Sequence, residues 1–118
     1  MRAKDAVGRY GEDVAEAHVL SRGWQVLERN WRCRDGELDL VALDGDELVV
    51  VEVKTRRSTL YGHPAEAVTA VKLARVRRLA AGWLAAHDVH PRSIRVDVIA
   101  VLLIRGRAAQ VEHLVGVV

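Results

Sequence analysis

Four residues of this 118-residue chain have the types and spacing that phosphate chemistry uses: Glu12, Asp39, Glu52 and Lys54. Side chains on a strand alternate between faces, so in the apolar run around Val51 the residues Val50, Glu52 and Lys54 share one face, and Val49, Val51 and Val53 turn to the core. Asp39 precedes that run across Asp44-Gly45-Asp46, a strong hairpin signal. If the hairpin closes on Gly45-Asp46, or on residues 44 to 47, Asp39 lies directly opposite Glu52. If it closes on Asp44-Gly45, Asp39 pairs with Val50 and meets Glu52 on the diagonal, within ~8 Å. Two carboxylates converge in each case. Side by side they repel, and a hard divalent cation such as Mg²⁺ or Mn²⁺ relieves that repulsion while leaving positions for water and phosphate oxygens. Lys54 adds a compact positive charge able to hold an attacking water or to neutralise charge developing on phosphate oxygens. Glu12 falls in a stripe with Gly8, Ala15 and Val19, where a charge is out of place unless it reaches a metal or a base.

The elements that position these groups follow from periodicity and turn residues. Residues 4 to 22 carry small or apolar residues at helical spacing, and Gly23 closes that helix. Val7, Tyr10, Val14 and Ala17 form one candidate buried stripe; Gly8, Glu12, Ala15 and Val19 form the other, small enough to press onto a sheet. Trp24 to Arg34, Leu38 to Leu43 and Leu48 to Thr55 read as strands, the last two with Leu38, Leu40 and Ala42 facing away from Asp39. A basic turn through Gly62 and Pro64 leads to a second helix over 65–87, with Val68, Val76, Leu79, Ala80 and Trp83 on its inner side and Thr69 as a cap or restart. Ser93 to Ile104 is an aliphatic run suited to a strand covered on both faces, and Gly106 turns the chain into a last strand near Ala108 to Leu114. The order helix, three strands, helix, two strands predicts one α/β domain over 1–118, with a mixed central sheet flanked by helices and a crossover through the second helix.

Composition narrows the function classes. No apolar stretch is long enough to span a membrane, and the charged N-terminus lacks the apolar core of a signal peptide, so a cytoplasmic protein is expected. Cys33 is the single cysteine, which excludes an internal disulfide and a thiolate cluster, and the five histidines show no zinc-ligand spacing. The net charge of +2 conceals a segregation. From Asp35 to Glu52 there are seven acids and no Lys or Arg, and from Lys54 to Arg78 there are seven bases against Glu66 alone. Arg56, Arg57, Lys72, Arg75 and Arg78 are the expected phosphate contacts for nucleic acid, and DNA is the expected partner. Asp97 lies on the aliphatic strand with Arg95 two residues away, a spacing that favours an ion pair of structural purpose.

Asp39 followed by Glu52-Val53-Lys54, behind a helix bearing Glu12, resembles the PD-(D/E)xK nuclease superfamily, which includes restriction enzymes and archaeal Holliday-junction resolvases. More closely, Gly8-Arg9-Tyr10-Gly11-Glu12-Asp13, Gly36-Glu37-Leu38-Asp39-Leu40, Val51-Glu52-Val53-Lys54-Thr55-Arg56 and Arg95-Val96-Asp97-Val98 are similar to the small YraN-like bacterial family, over residues 7 to about 101. Leu38 stands where the superfamily motif names a proline. The resemblance implies a restriction-endonuclease-like fold, Asp39, Glu52 and Glu12 as ligands to Mg²⁺ or Mn²⁺, and Lys54 as the catalytic lysine. It implies a DNA endonuclease acting on branched or single-stranded DNA, with a homodimer as the assembly suited to a duplex. The alternative reading is a non-catalytic nucleic-acid-binding module with a vestigial site.

Overall fold

A computed structural model describes residues 6–57 and 68–117. Seven elements follow in the expected order: α1 (Ala6–Ser21), β1 (Gln25–Cys33), β2 (Gly36–Asp44), β3 (Glu47–Arg56), α2 (Ala70–Ala86), β4 (Ser93–Leu102) and β5 (Gln110–Leu114). Residues 4 and 5 of the expected first helix, the turn through Gly62 and Pro64, and residues 65 to 67 of the expected second helix lie outside the described residues. The five strands form one sheet in the order β1-β2-β3-β4-β5. Only β3 and β4 pair in parallel, joined by the crossover that carries α2.

Both helices have identifiable ends. Gly23 adopts φ +83°, and the N–H groups of Arg22, Gly23 and Trp24 close back onto Val19 and Leu20 carbonyls, a left-handed C-terminal cap. The second helix starts at Ala70 rather than at 65 because Thr69 is extended and its hydroxyl takes the Lys72 N–H at 3.1 Å, the bond of an N-cap. Of the two candidate stripes on α1, the small one is the buried one: Glu12, Ala15 and Val19 face the sheet together with Gly11, Gly8 is half-buried, and Tyr10 is half exposed.

The sheet is apolar on both faces. Ala15, Val19, Leu40, Ala42, Val49, Val51 and Ile99 pack under α1, with Val53 against them. Leu38, Val41, Leu48 and Val50 pack under Leu79, Ala80 and Trp83 of α2. Strict alternation therefore fails in β2, because Leu38 joins the α2 side while Leu40 and Ala42 join the α1 side. The cause lies on the neighbouring strand. Asn30 has φ 55°, β1 bulges between Val26 and Glu28, and the β1–β2 ladder passes from Arg29↔Leu40 to Trp31↔Leu38, skipping Asn30 and Asp39. Arg29 consequently reaches α1 while Trp31 packs toward α2.

Candidate active site

Register decides which carboxylates meet. β2 and β3 pair from Asp44↔Glu47 to Leu40↔Val51, so Gly45-Asp46 is the two-residue loop, and continuing the count sets Asp39 level with Glu52. The ladder ends there because Asp39 Oδ2 accepts the Val53 N–H at 2.9 Å, a side-chain acceptor in place of a main-chain carbonyl. Asp39 is thereby tied to the peptide that follows Glu52.

One oxygen each from Glu12, Glu37 and Asp39 lies within 4.8 Å of the others. Oxygens around a six-coordinate Mg²⁺ are separated by about 3.0 Å when adjacent and about 4.2 Å when opposite, so this all-oxygen donor set suits one hard cation once the side chains draw in around it. Of the expected ligands, Glu12 and Asp39 come together. Glu52 is outside that group and instead pairs with Lys54, with Nζ to Oε1 at 3.3 Å, which also places the two on one face of β3 as the spacing requires. Glu37 joins the group without having been assigned a role from sequence. Its position two residues before Asp39 on a strand was the available signal.

Packing explains how a helix acid comes so near the sheet. A side chain on Gly11 would run into Thr55 Oγ1, so glycine lets α1 lie directly on the end of β3. Glu12, 5% exposed, is delivered beside β2 as a result. Arg29 secures the helix from β1, with Nη1 at 2.8 Å from both Asp13 and Glu16 and Nη2 at 3.5 Å from Glu12. Burial works to lower the Arg29 pKa, but the bonds and attraction of Asp13 and Glu16 more than reverse it, and the net shift is upward. Arg32 Nε holds Glu37 Oε2 at 2.7 Å.

The expected phosphate contacts lie around this end of the sheet and along α2. Arg56 is half-buried at the end of β3, and Arg57 follows it, exposed. Lys72, Arg75 and Arg78 are exposed on α2, where Arg75 Nη2 donates to the Asp35 carbonyl at 3.1 Å and so leans over the β1–β2 turn.

A second polar cluster extends the local Arg95–Asp97 pair to residues far along the chain, which local sequence does not reveal. Asp97, fully buried, accepts from Arg95 Nε at 2.9 Å, from the Gly116 N–H at 2.8 Å, and lies 2.7 Å from His113 Nε2. His113 Nδ1 is in turn 3.1 Å from His18 Nε2. Arg95 also reaches Asp44 and Glu47 and lies over the Trp24 ring. The Asp97–Arg95 pair expected from the sequence is thus the centre of a network tying α1, β4, β5 and the C-terminal segment together.

A five-stranded mixed sheet between two helices, with three carboxylates gathered where α1 meets β2 and a Glu–Lys pair on the adjoining strand, defines a small single-domain α/β protein with a candidate metal site. Residues 11–101 match the model of the uncharacterised protein family UPF0102, and the chain belongs to that family. It is 66% identical over 117 residues to a UPF0102 protein of Beutenbergia cavernae, with 99% of each chain covered. UPF0102 proteins of Kineococcus radiotolerans and Arthrobacter sp. strain FB24 are 58% and 54% identical, each covering 99% of this chain and 97% and 99% of their own. No helix among the described residues is long and apolar enough to cross a membrane.

Proposed function

We propose that this protein is a divalent-metal-dependent endonuclease of DNA, working in the cytoplasm on branched or single-stranded substrates and pairing as a homodimer where two strands are cut. The observation that carries the reading is the meeting of Glu12, Glu37 and Asp39 at the end of the sheet where Asp39 is tied to the Val53 N–H, level with Glu52; the Glu52–Lys54 pair alternates with Val51 and Val53 and so leaves β3 on the face away from α1. Glu12, Glu37 and Asp39 are the residues that would hold Mg²⁺ or Mn²⁺, and Glu52 would have to leave Lys54 to join them. The ion, when bound, supplies charge to offset that on the scissile phosphate and acidifies water. Lys54 Nζ, a donor without acceptor capacity, orients the attacking water and offsets charge on the phosphate oxygens. In the hydrolysis the water oxygen bonds to phosphorus as the water gives up a proton to solvent, the bond to the leaving sugar oxygen breaks, and that oxygen takes a proton from solvent.

Purified protein with Mn²⁺ and single-stranded, duplex and branched DNA tests this. Cleavage is expected in the parent and lost in Asp39→Ala and Glu52→Ala. Glu52→Ala should also keep or tighten metal-free DNA binding, since a negative charge near the phosphates is removed. Cleavage that persists in both variants overturns the assignment, and DNA binding without cleavage or Mn²⁺ uptake leaves a binding module in its place.

A further inference from the structure

Several exposed cations gather at one end of the sheet. The C-terminal ends of β3 and β4, the starts of β2 and β5, the end of β1 and the first turn of α2 all lie at one end, fixed by the registers Arg56↔Leu102, Leu102↔Gln110 and Cys33↔Gly36 and by Arg75 on Asp35. That end holds the acidic cluster. It also holds Arg34, Arg57, Lys72, Arg105 and Arg107, all exposed and making no ion pair with any described residue. The opposite end presents Asp44, Asp46, Glu47 and Asp88, with two exposed arginines, Arg22 and Arg92, the latter facing Asp46 at 3.9 Å.

Arg105 and Arg107 enter this arrangement from a part of the chain with no motif. They flank Gly106, φ +77°, in the turn between β4 and β5, which the Arg107 N–H closes onto the Ile104 carbonyl at 3.0 Å. Leu103 N–H binds the Arg56 carbonyl at 2.8 Å, so the turn springs from the point where β3 ends. We infer that Arg105 and Arg107 are phosphate contacts for a nucleic-acid strand that runs across the end of the sheet, past the acidic cluster and on toward β5. The inference rests on the nuclease reading for its substrate class and adds the direction in which that substrate extends. Strands lie about 4.8 Å apart, so the turn stands roughly 10–14 Å from the junction of β2 and β3. At ~3.4 Å of rise per nucleotide, that is three to four nucleotides beyond the scissile phosphate. A terminal mononucleotide is too short to make the contact; an internal bond in a longer strand is not.

Salt dependence of binding is the test, measured with a duplex DNA of about 20 base pairs in metal-free buffer. Each phosphate contact adds about −0.9 to the log–log slope of affinity against salt. Arg105→Ala with Arg107→Ala should flatten the slope by about 1.8, Arg105→Lys with Arg107→Lys should keep it, and Arg92→Ala at the opposite end should leave it unchanged. All three variants should melt with the parent, since the altered side chains are exposed. A parent slope that survives in the double alanine variant overturns the inference and leaves the nuclease reading standing. Absence of salt-dependent binding in the parent also overturns the inference, and the nuclease reading is then decided by the cleavage test on single-stranded and branched DNA.

Discussion

Asp39 Oδ2 accepts the Val53 N–H at 2.9 Å, so this carboxylate both ends the β2–β3 ladder and faces Glu12 and Glu37. The two roles separate by substitution. Asparagine keeps an oxygen for Val53 but brings no charge to a metal, so Asp39→Asn should hold the fold and lose Mn²⁺ binding by calorimetry. Asp39→Ala should lose both, with stability lower by about 1–3 kcal/mol in urea unfolding, because a partly buried N–H is left without its acceptor. An Asp39→Asn variant that binds Mn²⁺ as the parent does would remove Asp39 from the ligand set.

Gly11 sets how closely α1 lies on β3. The Gly11→Ala methyl meets Thr55 Oγ1, and the helix must shift outward, carrying Glu12 with it. Overpacking of this kind costs about 1–3 kcal/mol. The expected result is a lower melting temperature together with weaker Mn²⁺ binding, although no ligand has been altered. Gly45→Ala, where nothing crowds the added carbon, should leave metal binding unchanged despite its strained turn.

The His18–His113 contact makes stability depend on pH. Burial, then His113 and then Arg22, hold the His18 pKa below its ordinary value of 6.5. Just below pH 6.5 the unfolded chain therefore binds a proton at His18 that the folded chain does not, and stability falls as the solution is acidified through that value. Urea midpoints should be flat above pH 7.5 and decline below about 6.5. His18→Gln should shallow the decline across that window, and an unchanged pH profile would count against the contact.

Arg95 is the cation that makes a fully buried Asp97 tolerable. Burial tends to lower the Arg95 pKa, yet the Asp97 bonds and the nearby Asp44 and Glu47 raise it, and the guanidinium stays charged. Arg95→Met leaves the carboxylate with only His113 and the Gly116 N–H. Breaking a buried pair from one side costs about 3–5 kcal/mol. Denaturant unfolding should show a loss of that order, whereas Arg92→Met, at an exposed site, should change stability little.

Much of the site was legible because strand period and turn chemistry are local. The Gly45-Asp46 loop put Asp39 level with Glu52, and two-residue spacing put Glu52 with Lys54. Of the two stripes that periodicity offered on α1, packing against the sheet selects the one bearing Glu12. What escaped depended on irregular backbone or on distance along the chain. Asn30 is of a type that adopts the left-handed region more readily than most, but its type alone does not say that it does so here, where it breaks the alternation that would have kept Leu38 with Leu40. His18 and His113 are 95 residues apart, and only the closing of β5 onto β4 brings them together. Glu37 carries no local mark of a ligand, and only the structure shows it held by Arg32 and gathered with Glu12 and Asp39.

The irregularity of β1 has an effect outside the molecule as well. β1 is an edge of the sheet, and a straight edge offers its free main-chain groups to the edge of another copy. The bulge at Leu27 and the left-handed Asn30 interrupt that template within four residues, so a second strand docking there finds no continuous ladder to extend. The same distortion that turns Arg29 toward α1 thus guards this edge against self-association at high concentration.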